Sequence, residues 1–301
     1  MELQTVGARP ASPELKRLVM LEDKIYNLVK KCSTDLPKDV ENALVEALAK
    51  EDANCPANWA LNGILENVEL SRRNETPLCQ DTGTLLFFLD LPDGTAVLSI
   101  QEAIKKAVKR ATEDGFLRQN TIESVSGQSI ASNVSVGAPY ININFSNRQD
   151  ISIKLMLKGG GCENVSTQYS LPDSTLGAGR DLEGVRKCIL NAALNAQGMG
   201  CSPSIFGVCI GGDRGAGYVC SKKQLLRDVT DVSDNPKLKQ LEQETFKEVN
   251  KLGIGPMGLS GKTTLLGLKI GESSRLPASY FVTISMMCWA CRRATLIVDN
   301  V

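Results

Sequence analysis

The sequence predicts an α+β fold of the mixed α/β kind, and three observations carry that prediction. Over the first 72 residues, apolar side chains recur at three- and four-residue intervals, the mark of amphipathic helices. From Thr84 onward the texture changes to short apolar or alternating runs of strand length. Glycine-rich stretches then separate those runs from further helical segments, so helices come first and mixed strands and helices follow.

The N-terminal helices are expected over ELKRLVMLEDKIYNLVKK, DVENALVEALAKE and ANWALNGILENVELSRR, with Asp35 and Pro37 to Asp39 dividing the first two and Asp52 to Pro56 the next. TLLFFLDL reads as a buried strand, PDG as a turn and TAVLSI as a second short strand. QEAIKKAVKRATEDG is an amphipathic helix ending at Gly115. YININF and ISIKLML alternate with period two around Ser146 to Asp150, which predicts a hairpin. Gly159 to Gly161 break the strand pattern, and a helix from Asp181 to about Gln197 leads into the glycine-rich strand GMGCSPSIFGVCIGG. Asn235 to Leu252 is a charged helix with one solvated face; after the loop GIGPMGLSGKTT, the remainder alternates short strands. No internal repeat or low-complexity linker divides the chain.

Composition excludes several functions. Lys and Arg number 34 against 34 Asp and Glu. A chain of zero net charge has no basic surplus for nucleic acid or an anionic membrane. No apolar run reaches a membrane span, and the first residues lack an apolar secretory core, so a cytoplasmic protein is expected. There is no histidine, which removes Ser-His-Asp and Cys-His sites and the commonest zinc ligand. Proton chemistry then falls to Asp, Glu, Lys, Tyr or Thr, or to another chain.

Two familiar motifs fail on spacing. A phosphate-binding P-loop needs glycine five residues before Gly261-Lys262-Thr263, but that position is Pro256 and Gly255 is one residue too far. GGDRGAG does not fit GxGxxG. Cys288 and Cys291 have CxxC spacing but no second pair to complete a zinc site. Cys188, within a helical pattern, reads as core. The remaining chemistry is a set of loops. Cys79 to Gly83 put a thiol, an amide, a carboxylate and a hydroxyl on one turn, and Lys158 to Asn164 form a backbone N–H nest suited to a carboxylate. Cys201 precedes a strand and Cys288 follows one. Thiolates on separated loops at strand ends suit an iron–sulfur cluster with one iron left open as a Lewis acid.

PLCQDTG, LKGGGCEN, CSPSIFGVCIGG, GIGPMGLSGKTT and CWACRR, in this order, resemble the α-subunit of the iron–sulfur hydro-lyases, the class I fumarases and L(+)-tartrate dehydratases. The resemblance covers nearly the whole chain, 1–301, with 1–75 as a helical N-terminal part and 76–301 as the cluster-binding part. It implies a [4Fe–4S] cluster on Cys79, Cys201 and Cys288, with Cys162 and Cys291 beside the motifs but not ligands. It implies that Gln80 and the catalytic Asp81 lie beside the substrate and that Arg118 and the Gly161 backbone bind its carboxylates. The base would come from a second, swivelling domain; because the chain ends soon after CWACRRATL, that domain is expected on a separate β-subunit. The family's histidine before the proline of RLPASYF is Leu276 here, which points to an altered substrate or an inactive paralogue as alternatives. The reaction expected first is dehydration of L(+)-tartrate to oxaloacetate, on the pattern CWACRR, with fumarate hydration second.

Overall fold

The computed structural model describes residues 13–299; the first twelve residues, where no secretory segment was read, and the last two lie outside the described residues. Three helices open the chain: α1 (Pro13–Thr34), α2 (Lys38–Lys50) and α3 (Pro56–Asn74). Pro56 sits in the first turn of α3, where its missing N–H is harmless, and the Cys55 sulfur accepts the Asn58 amide there. Glu75 ends the helix in the left-handed region at φ 51°. The expected α+β class is what the chain adopts.

Two four-stranded sheets follow. The first contains β1 (Thr84–Pro92), β4 (Tyr140–Ser146), β5 (Asp150–Lys158) and β10 (Arg292–Asp299), in the order β10-β5-β1-β4. The second contains β6 (Thr167–Ser170), β7 (Ser204–Gly211), β8 (Leu265–Ser273) and β9 (Phe281–Met287), in the order β6-β9-β7-β8. A two-stranded ribbon, β2 (Thr121–Ile122) with β3 (Ser129–Ile130), lies in the loop after α4 (Val97–Glu113). The remaining helices are α5 (Gly160–Asn164), α6 (Leu182–Ala196), α7 (Arg214–Gln224) and α8 (Pro236–Asn250).

Two expected elements are corrected. TAVLSI is not a strand: α4 begins at Val97, because Ile100, Ala103, Ile104, Ala107, Val108 and Ala111 form one continuous buried stripe at helical spacing. The expected hairpin of YININF with ISIKLML does not form either. β1 lies between the two, antiparallel to β5 and parallel to β4. Strand β1 is buried on both faces, so it is central, and α4 supplies the crossover that its parallel pairing with β4 requires. Residues 147–149 need only step across one intervening strand, roughly 10 Å.

Three cores hold these layers. One packs α1 and α4 on the first sheet through Ile25, Phe87, Ile104 and Leu155. A second packs α6 and α8 on the second sheet through Ile189, Val208, Leu241 and Ile284. The third joins the sheets to α2 and α3, with Leu44 and Leu61 against Phe88, Met156, Ile205 and Met287. Each such fully buried side chain contributes about 1.5–3 kcal/mol. Among the described residues no helix is long and apolar enough to cross a membrane.

Candidate active site

The strand ends that meet at the junction of the two sheets determine the site. Thr84 at the start of β1 is opposite Lys158 at the end of β5, and Arg292 at the start of β10 is opposite Leu157. In the second sheet the start of β7 lies beside the end of β9, with Ile205 opposite Met287. Cys79 to Gly83, Gly159 to Asn164, Gly198 to Ser202 and Cys288 to Cys291 therefore emerge at one place. The last of these links the two sheets directly.

Asp81 is the most constrained of the predicted residues. Its Oδ1 accepts the Gly83 amide at 2.9 Å and its Oδ2 the Gly160 amide at 2.7 Å. The nest expected at Gly159 to Gly161 thus holds a carboxylate of its own chain. A Cβ on Gly159 would stand 3.0 Å from Asp81 Oδ2, and one on Gly83, at φ 83°, 2.8 Å from the Lys158 backbone. Arg292 Nη2 donates to the Asp81 carbonyl at 2.8 Å.

Arg118 lies across the same turn. Its Nη1 donates to the Gln80 carbonyl at 3.3 Å and its amide to Thr82 Oγ1 at 3.1 Å. Gln80, Arg118, Gly160 and Gly161 are exposed, so they line an open face. Gly161 is near the Cys201 loop, since a Cβ there would stand 3.5 Å from the Met199 carbonyl.

The cysteines gather around this turn. Cys201 adopts φ 54°, its carbonyl accepts the Trp289 amide at 3.2 Å, and Ser202 Oγ donates to the Gly255 carbonyl at 2.7 Å. Burial, together with the neighbouring Cys79, Cys162 and Asp81, pushes the Cys201 thiol up. Cys162 Sγ donates to the Gly159 carbonyl at 3.1 Å and receives Lys158 Nζ at 3.9 Å; the adjacent Cys288 and Lys158 lower its thiol, while Cys162 and burial push the Cys288 thiol up. Lys158 is only 1% exposed and pairs with Glu163 at 2.6 Å, while Lys222 pairs with the same carboxylate at 2.7 Å. Among the described residues no three His, Cys, Asp or Glu side chains gather as ligands for one metal ion. Thiols on separate loops, beside a buried Arg292 whose Nε and Nη1 have no hydrogen-bond partner among the described residues, are of a kind that suits a larger, anionic group of the iron–sulfur type.

A family profile described as fumarate hydratase (Fumerase) matches residues 22–297. The chain belongs to this family. It is 46% identical over 282 residues to a Geobacillus stearothermophilus protein provisionally named a class I fumarate hydratase, a match covering 93% of this chain and 55% of that one. The fumarase-family chain thus spans about half the length of that relative. It is 35% identical over 279 residues to a Methanocaldococcus jannaschii protein provisionally named L(+)-tartrate dehydratase subunit alpha, covering 91% and 96% of the two chains. To the L(+)-tartrate dehydratase subunit alpha of Escherichia coli K12 it is 29% identical over 280 residues, covering 92% and 90%.

Leu276 occupies an unexpected place in this fumarase-family fold. It is 72% exposed in the β8–β9 loop, beside Arg275, whose Cβ lies against Gly211 at the far end of β7. Cys288 follows the opposite end of β9, a strand length of about 20 Å away. A leucine at this position therefore removes nothing from the cysteine junction of its own chain.

Several residues at the site were not singled out in the sequence. Asn133 is buried, accepts the Asn120 and Thr121 amides at 3.0 Å each and donates to the Arg118 carbonyl at 2.7 Å. No local motif marks it, because its partners lie in the preceding loop. Lys158 and Arg292 stood within quoted motifs, but their burial is a tertiary fact. The GKT loop rejected as a P-loop has its amides occupied: those of Lys262 and Thr263 donate to the Glu51 carboxylate at 2.8–2.9 Å.

Proposed function

We propose that the chain is the cluster-bearing part of a hydro-lyase that adds water to, or removes it from, a four-carbon dicarboxylate. The observation that supports this most is Asp81 fixed between two backbone amides amid loops bearing Cys79, Cys201 and Cys288. In this reading those three cysteines hold a [4Fe–4S] cluster. When bound, the cluster supplies Lewis acidity toward the substrate's hydroxyl and carboxylate oxygens.

The chain's own residues do the rest of the binding. Arg118 offers a bidentate fork to a substrate carboxylate, and the Gly161 backbone and Gln80 border the same open face. Asp81 is held in one orientation by its two amide donors, so one carboxylate oxygen can receive or return a proton without the side chain reorienting. A β-type partner or domain, as the alpha-subunit names of relatives suggest, would close the exposed face and exclude water. A reducing compartment such as the cytoplasm suits the ten free cysteines.

For the substrate, the higher identity to the relative named for fumarate hydratase favours fumarate and L-malate over the L(+)-tartrate that CWACRR suggested. L(+)-tartrate stays the second reading, on the alpha-subunit names. An anaerobic assay of the chain co-expressed with its β-type partner, on L-malate and L(+)-tartrate side by side, tests both. Turnover of L-malate supports the first reading, and turnover of L(+)-tartrate alone reverses the order. A complex that retains its cluster and turns over neither would sink the hydro-lyase reading.

A further inference from the structure

Arg292 and Arg293 are adjacent on β10 and point to opposite faces of the sheet. Arg293 has a carboxylate partner, Asp39, and also donates to the Arg227 carbonyl at 2.8 Å. Arg292 has none among the described residues. Its side chain is 1% exposed, Nη2 donates to the Asp81 carbonyl, and Nε and Nη1 are buried without a hydrogen-bond partner. A guanidinium cannot shed its proton, so burial does not neutralise it as it could a lysine. Leaving such a charge without a counter-ion costs several kcal/mol. An anion placed beside it would offset that cost.

Besides Asp81, whose carboxylate is already held by the Gly83 and Gly160 amides, Arg292 lies close enough to act on the thiols of Cys32, Cys288 and Cys291. As thiols they carry no charge to offset the arginine. Three thiolates on an oxidised four-iron cluster form an anionic assembly, and its charge would lie immediately beyond the Cys79–Asp81 turn that Arg292 grips. We propose that Arg292 is the built-in counter-cation of the cluster: a positioning residue that compensates the thiolate-bound cluster and holds the Cys79–Asp81 turn against it. This rests on the cluster reading given above. Lys158 differs from Arg292 in having a carboxylate partner, Glu163 at 2.6 Å, which it shares with Lys222.

The counter-cation role makes the two forms of the protein respond in opposite directions. Arg292→Met removes an uncompensated buried cation from the cluster-free protein, so the melting temperature of that form should hold or rise. In the cluster-loaded full chain, reconstituted anaerobically with iron and sulfide, the same variant should lose its visible absorption to a chelator about tenfold faster. Its midpoint potential should move to a more negative value, because a nearby positive charge that favours the reduced cluster is gone. Arg292→Lys, which keeps the charge but not the fork, should return the potential toward wild type. A wild-type chelator rate and potential in Arg292→Met would overturn the proposal. So would a cluster-free Arg292→Met that melts well below wild type with no rescue of the potential by lysine, since that is the behaviour of a structural strut. A wild-type chain that takes up no iron and sulfide would overturn the cluster reading itself, before any variant is compared.

Discussion

The Asp81 carboxylate accepts the Gly160 amide at 2.7 Å, joining the turn before β1 to the glycine run after β5, 79 residues away in sequence. Together with the Gly83 amide, that bond holds the proposed catalytic carboxylate in one orientation. It also explains why glycine occupies both ends of the contact. Gly83 needs φ 83° and lies against the Lys158 backbone, and Gly159 leaves space for the carboxylate itself.

Asp81→Asn should keep the fold, since the amide oxygen still accepts one backbone N–H. It should lower kcat by about 100- to 10,000-fold, the usual range for losing a positioned acid or base. A matched circular dichroism spectrum with kcat unchanged would remove Asp81 from the reaction.

Gly83→Ala should destabilise the chain by about 2 kcal/mol or more, combining a left-handed backbone with a Cβ 2.8 Å from the Lys158 carbonyl carbon. Chemical denaturation measures this directly. Gly94→Ala is the internal comparison: its φ is 77° but nothing lies within 4 Å of a Cβ there, so it should lose only the backbone part.

Cys201→Ser should abolish the thiolate-to-iron absorption near about 400 nm in protein reconstituted without oxygen. Cys188→Ser should keep that band, although a hydroxyl in the apolar core of α6 costs about 1–3 kcal/mol. The band surviving in Cys201→Ser would mean that another of the neighbouring thiols is the ligand.

Glu41 gives a pH test far from the site. Burial alone would raise its carboxyl, but hydrogen bonds and charge from Arg72 and Lys38 outweigh it and hold the group below 4.5. A carboxyl lowered in the folded state contributes stability above its unfolded value and loses it as pH falls through the folded value. The difference in melting temperature between wild type and Glu41→Gln should therefore be constant at neutral pH and shrink below about pH 4.5. A difference that persists undiminished at low pH would assign Glu41 a packing role only.

The sequence by itself determined the helical N-terminal region, most strands, the cysteine-bearing loops that meet around Asp81, and the lack of a histidine in the chain. Periodicity shows which face of one element is apolar, and the ordered motifs carry the family. Only the tertiary structure decided that β1 separates β4 from β5, that α4 starts at Val97, and that Leu276 lies a strand length from Cys288. It also decided that Arg293 has its aspartate while Arg292 has none among the described residues. Strand order and charge pairing depend on which distant segments pack together. Adjacent arginines look alike along the chain, and only the two faces of a sheet give them different neighbours.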